Sequence, residues 1–220
     1  MFSRTRLCWF MPGMVAALIS AAQPVDARPV IKTRYEYYAV SGMTAASLHQ
    51  SMIVHGPEVN GDKAYGTIEV SAGQSGSLVR NATACQIRDY NLRLSFTIRL
   101  PKVTSKSALR PELQAHWASF ERFVRAHEAV HRSIWISCAS SVERRVRAIR
   151  SGSCEAAQTA ATVILNQIWA QCSKRHDAFD AAQRSPLMRQ PFIIAANGAP
   201  QRLATDGSHV RATRAVRPQR

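Results

Sequence analysis

Acid is scarce in this chain. Only 14 Asp and Glu stand against 29 Lys and Arg over 220 residues, a formal charge of +15. Such an excess points toward acidic partners such as nucleic acid, anionic lipid or an acidic polymer, although charge alone does not choose among them. Long apolar runs are missing too. After residue 27 no stretch approaches the roughly 18 consecutive apolar residues of a bilayer span, so no transmembrane segment is expected in the mature chain. No C-x-x-C pair occurs, which leaves a four-thiolate zinc site without support. Internal repeats are absent as well. Apolar residues, in contrast, make up 46% of the chain, enough for one domain with a real core and too many for disorder throughout.

The first 27 residues read as a secretory signal peptide. Arg4 and Arg6 precede an apolar run from Leu7 to Ser20, and Val25-Asp26-Ala27 has the small-residue form of a cleavage site, with a second credible site after Ala22. Cys8 leaves with the peptide. Cys85, Cys138, Cys154 and Cys172 remain, an even number that implies disulfides in an exported protein, periplasmic or extracellular. At the other end, residues 195–220 lose periodicity and carry Arg202, Arg211, Arg214, Arg217 and Arg220 against Asp206. That composition predicts a basic disordered tail. The folded domain is therefore expected over residues 28–194.

Residues 30–40 are rich in β-branched and aromatic side chains and read as a strand ending at Ser41-Gly42. Thr44 can cap a short helix reaching about Ile53, and Gly56-Pro57 stops it. A second strand runs from Tyr65 to Val70. The clearest alternation places Leu92, Leu94, Phe96, Ile98 and Leu100 on one face and Arg93, Ser95, Thr97 and Arg99 on the other, which predicts a half-buried strand in a small antiparallel sheet. From Pro111 the period becomes helical. Leu113, Trp117, Phe120, Val124, Ile134, Cys138 and Val142 form one stripe, and His127 and His131 fill its gap. Arg144, Arg145, Arg147 and Arg150 close this helix, where cations complement the dipole; a solvated face is the leading reading and a dedicated anion site the alternative. A second helix is expected from about Cys154 to Arg184, stopped by Ser185-Pro186, with Ala161, Leu165, Ile168, Cys172 and Phe179 as its stripe. The fold class is α+β: a small sheet packed on a long antiparallel helical hairpin.

His127-Glu128-Ala129-Val130-His131 is an H-E-x-x-H run. Its spacing sets two imidazoles one turn apart so that both can reach one Zn²⁺, and it aims Glu128 at the open side of the ion as base for an activated water. A third ligand is needed. With the reversal centred between residues 151 and 152, residue 174 lies level with residue 129, which nominates His176, Asp177 and Asp180. His176 and Asp180 share a helix face, so either can ligate while the other orients a ligating histidine. The same register sets Cys138 and Cys172 about 10 Å apart along the axis, too far for a bridge, and leaves Cys85 to tie the sheet to one of the helices.

Several segments together resemble a known family: YEYYAVSGMTAASL with Gly56-Pro57, CQIRDYNLRLSFTIRLPKV, WASFERFVRAHEAVH, and Phe179-Asp180. Over residues 34–194 the chain resembles the bacterial predicted secreted zinc-dependent proteases catalogued as domain-of-unknown-function family 922. The resemblance implies an α+β metalloprotease-like fold, zinc held by His127 and His131, and Glu128 as base. Asp180 matches the aspartate of the family's Y-D-x-x-T-x-H-G segment. Phe179, Gln183 and Ser185-Pro186 depart from that segment; if its histidine is the family's third ligand, this chain must use Asp180 or His176 instead or bind zinc weakly.

The function expected from these signals is a zinc-dependent metallopeptidase acting on protein or peptide substrates. The alternative is a non-enzymatic basic envelope protein that binds an anionic polymer or a protein partner through its tail and charge, with a structural or vestigial zinc site. No specific nucleic-acid motif is present.

Overall fold

The computed structural model describes residues 29–59, 61–198 and 215–216. The segment read as a signal peptide and most of the segment read as a basic tail lie outside these. In chain order the elements are β1 (Val30–Val40), α1 (Ala45–His55), β2 (Glu58–Val59), β3 (Asp62–Lys63), β4 (Thr67–Arg80), β5 (Cys85–Val103), a 3₁₀ turn at Lys106–Ala108, α2 (Pro111–Arg147), β6 (Arg150–Ser151), α3 (Cys154–Met188), α4 (Pro191–Ala196) and β7 (Ala215–Val216). The architecture is α+β. Thr44 caps α1 as expected, exchanging bonds with Ser47 in a capping box. Leu92, Leu94, Phe96, Ile98 and Leu100 are all buried, and α2 covers them with Trp117, Phe120, Val124, Ile134, Cys138 and Val142.

The sheet is mixed, which corrects the antiparallel expectation. Its order is β1-β5-β4-β7, with β6 beside the start of β5. β4 and β5 form an antiparallel hairpin, but β1 pairs with β5 in parallel from Val30↔Arg93 to Val40↔Val103. Alternation in a single strand reports which face is buried and carries no information on the direction of its neighbour; the crossover through α1 and the β4–β5 hairpin sets that. β4 also runs ten residues further than expected, because its Gly- and Ser-rich half, Ser71 to Ser77, is held by pairing with β5 rather than by propensity.

Two further corrections concern the helical hairpin. Cys138 and Cys172 are bridged, with Cα atoms 6.2 Å apart, because the connector is no tight reversal. It runs past the end of α2 and pairs Arg150 with Gln86 and Ser151 with Cys85. α3 therefore starts beyond the end of α2: Cys138 is 9 residues from the last residue of α2, whereas Cys172 is 18 residues into α3. Cys85 bridges Cys154, tying the sheet to the start of α3. Pro186 sits inside the last turn of α3 instead of ending it; the bond its missing N–H forfeits falls one turn from the terminus, where the loss is small. Replacing both Cys138 and Cys172 by Ser is expected to lower stability by about 3–4 kcal/mol, the chain-entropy value for a loop of 34 residues. A reduced urea midpoint, with m at or above the parent's because the uncrosslinked chain exposes more surface on unfolding, would show it.

One irregularity in β5 is repaired from α2. Pairing shifts between Ser75↔Asn91 and Ser77↔Arg88, and Asp89 takes a left-handed φ of 52°. Gly76 lies beneath the bulge, where a Cβ would stand 3.2 Å from Tyr90. Two backbone groups of the distorted segment are met by side chains one helical turn apart: the Leu92 N–H donates to Glu143 Oε1 at 2.6 Å, and Arg147 Nε donates to the Tyr90 carbonyl at 2.7 Å. Glu143 is completely buried.

Candidate metal centre

The helical phase that buries the apolar stripe of α2 also turns His127, Glu128 and His131 inward, with relative exposures of 9%, 2% and 4%. From α3, Asp180 meets both imidazoles. Its Oδ1 lies 3.2 Å from His127 Nε2 and 2.8 Å from His131 Nε2, and the two Nε2 atoms are 2.9 Å apart. His127, His131 and Asp180 thus converge on one point and could hold a metal ion. Of the other two nominated residues, His176 is buried behind His131, Nδ1 to Nδ1 at 2.7 Å, whereas Asp177 is exposed and outside the cluster. Despite the shifted hairpin register, the stretch around 176–180 passes beside the two histidines.

Asp180 Oδ1 tests whether a cation fits. It is buried, with no well-aligned donor among the described residues, although two nitrogens face it. Ligands on a tetrahedral Zn²⁺ stand about 2.0–2.1 Å from the ion and so about 3.4 Å from one another. The three separations fall a few tenths short of that, within side-chain adjustment. Because one proton cannot serve three converging acceptors, a shared cation accounts for the arrangement better than paired hydrogen bonds do.

Surrounding groups hold the site and set its electrostatics. The Phe179 ring lies 4.8 Å from that of His127 and 5.1 Å from that of His131, and Trp135 lies 4.9 Å from His176. Burial drives the His127 pKa down against the contrary pull of Asp180. Asp180 would be raised by burial, but its contacts with the two imidazoles prevail and hold it below the usual carboxylate range. Glu128 is pushed up to about 8, first by burial and then by the charge of Asp180.

Glu128 owes its position partly to Gly66, which composition gave no reason to single out. A Cβ there would lie 3.0 Å from Glu128 Oε1 and 2.7 Å from Val124 Cγ1, so only glycine lets the backbone leading into β4 approach the carboxylate so closely. A cleft opens beside His127 and Asp180, walled by Tyr65, Phe123, Val124 and Leu187, with Gln183 and Arg184 at its polar end. The Tyr65 hydroxyl is 2.7 Å from His49 Nε2. Burial raises the Tyr65 pKa to about 12, so the hydroxyl keeps its proton at neutral pH.

A pH effect follows for metal-free protein. A carboxylate raised from 4.5 to about 8 contributes stability below its ordinary value and loses it as pH rises through the folded value. The lowered groups, His127 and Asp180, act oppositely, losing stability as pH falls, below about 6.5 and about 4 respectively. Of the three groups named, only Glu128 changes its contribution between about pH 6.5 and 8. Chelator-treated parent should lose about 2 kcal/mol relative to a Glu128→Gln variant over that window. Urea denaturation at both pH values checks this, and a constant difference would place the carboxylate in a wetter setting.

Among known proteins, residues 35–186 fit the model of a family described as bacterial protein of unknown function (DUF922). No curated protein and no solved structure matches the chain.

Proposed function

The chain belongs to the family of bacterial proteins of unknown function (DUF922), and on that premise we propose, from its own residues, that it is an exported zinc-dependent metallopeptidase acting on protein or peptide substrates. The observation that carries this reading is the convergence of His127, His131 and Asp180 with Glu128 buried beside them. Two imidazoles and one carboxylate suit zinc better than the all-oxygen shells of calcium or magnesium. Zn²⁺ held there supplies a Lewis acid that polarises a carbonyl and makes water a nucleophile near neutral pH.

The chain's own residues do the rest. His131 would hold the ion through Nε2 with its Nδ1–H donated to His176 Nδ1, and His176 would then fix the tautomer and ring angle. Glu128 accepts the proton of the attacking water and returns it to the leaving amine. A bound cation lowers its pKa from the metal-free value, which keeps it ionised for that task. The apolar walls of the cleft suit an apolar substrate side chain, with Arg184 and Gln183 placed for the polar peptide groups that follow it. Two disulfides and the absence, among the described residues, of a helix long and apolar enough to cross a membrane are consistent with export.

The test is elemental analysis of purified mature protein together with cleavage of a quenched peptide library. About one zinc per chain is expected, lost from His127→Ala and Asp180→Ala, each of which leaves two of the three converging donors, with hydrolysis abolished by chelation and restored by zinc. Zinc without hydrolysis would favour the non-enzymatic basic envelope protein with a closed metal site. No zinc would overturn both halves of the proposal.

A further inference from the structure

Apart from the candidate metal centre, a groove between the two long helices gathers a cluster of arginines. Arg144 and Arg145 come from the last turn of α2, and Arg175 comes from the middle of α3. They border a cavity of about 250 Å³ together with Ser141 and Gln171, floored by the Cys138–Cys172 bridge. Among the described residues no carboxylate lines it. Nor, among them, does any of the three arginines form an ion pair, whereas Arg34, Arg99 and Arg147 each have a glutamate partner.

A solvated helix end explains Arg144 and Arg145, since cations there complement the dipole. It does not explain Arg175, which belongs to the other helix, well inside it and converging on the same cavity. Arg175 is held in place by donating to Ser137 Oγ at 3.4 Å and Cys138 Sγ at 3.7 Å, and Arg144 by donating to Ser141 Oγ at 3.4 Å. The disulfide fixes the spacing of the two helices, so what remains to be ordered on binding is the exposed guanidinium ends. Three guanidinium forks, one hydroxyl and one amide match a multiply charged tetrahedral oxyanion, whose several oxygens can each accept bidentate bonds.

We propose that this groove is an anion site for a phosphate group, free or carried on a polymer, distinct from the metal centre. The site gives the excess positive charge of the chain one defined point of attachment and does not depend on peptidase activity.

Calorimetric titration of chelator-treated mature protein with inorganic phosphate, pyrophosphate and long-chain polyphosphate tests it. One saturable, salt-sensitive site per chain is expected, weakened at least tenfold in an Arg145→Gln/Arg175→Gln variant, with Arg34→Gln and a chain ending at Gly198 binding as the parent does. Saturation by phosphate or pyrophosphate identifies a free ligand, and saturation by polyphosphate alone identifies a polymer-borne one. Undiminished binding by the double variant, or loss of all binding with the tail, would overturn the proposal. Because metal-free protein is used, neither result depends on whether zinc hydrolysis occurs. Unchanged zinc content and thermal midpoint in the double variant exclude a folding effect.

Discussion

A Glu128→Gln protein is expected to hold zinc as the parent does and to hydrolyse peptides about 10²–10⁴-fold more slowly, the usual worth of a positioned general base. The amide keeps the shape of the side chain and its contact with Gly66, so the packing of the α2 stripe against the strand is unchanged. What it loses is the capacity to take a proton. Misfolding cannot mimic this result, since the buried carboxylate prefers its neutral form in metal-free protein, and a neutral amide in its place costs little or even stabilises. Asp180→Ala makes the contrast: it should lose zinc and activity together, because it removes one of three converging donors. Metal content by elemental analysis and initial rates on one peptide separate the two variants. Parental activity in Glu128→Gln would move proton transfer to another group and leave the H-E-x-x-H glutamate without a catalytic role.

The inward histidines were legible because they obey the same 3.6-residue period as Phe120, Val124 and Ile134, and burial follows phase. Asp180 was within reach for a different reason: a short link between two helices forces the second back along the first. The offset of α3 by several residues was hidden, because it depends on β6 pairing with the start of β5, a two-residue contact with no pattern of its own. That offset joins Cys138 to Cys172 and places His176 behind His131. The parallel pairing of β1 and the role of Gly66 were hidden for the same reason. Both arise from contacts between segments far apart in the chain, Val30 with Arg93 and Gly66 with Glu128, and local composition does not encode them. Of the candidate site, the ligand-bearing residues could be read as types at a spacing, while the apolar walls of the cleft, drawn from Tyr65, Phe123 and Leu187, required the tertiary structure.

The largest effect on stability is expected at Glu143, which lies on the same helix as His127 and His131 and outside the candidate metal centre. Glu143→Ala leaves the Leu92 N–H buried without an acceptor, deprives Arg147 of its charge partner 4.0 Å away and opens a void under the bulge in β5. Leaving the buried Leu92 N–H unpaired costs about 1–3 kcal/mol and the void left by a fully buried side chain about 2 kcal/mol more, whereas the partly exposed Arg147 adds little. Glu143→Gln should recover more than half of this, because an amide oxygen can still accept from Leu92, whereas a hydrogen bond to a charged group is worth about 1.5–3 kcal/mol and a neutral one about 1 kcal/mol. Urea denaturation at constant m is the measurement, and equal losses in both variants would show that charge rather than the acceptor holds the bulge. The folded fraction of either variant should bind zinc as the parent does, since residues 127 to 131 are about three to four helical turns away. Glu128 and Glu143 would then separate completely: one carboxylate removable with loss of rate and little loss of stability, the other with loss of stability and the site intact.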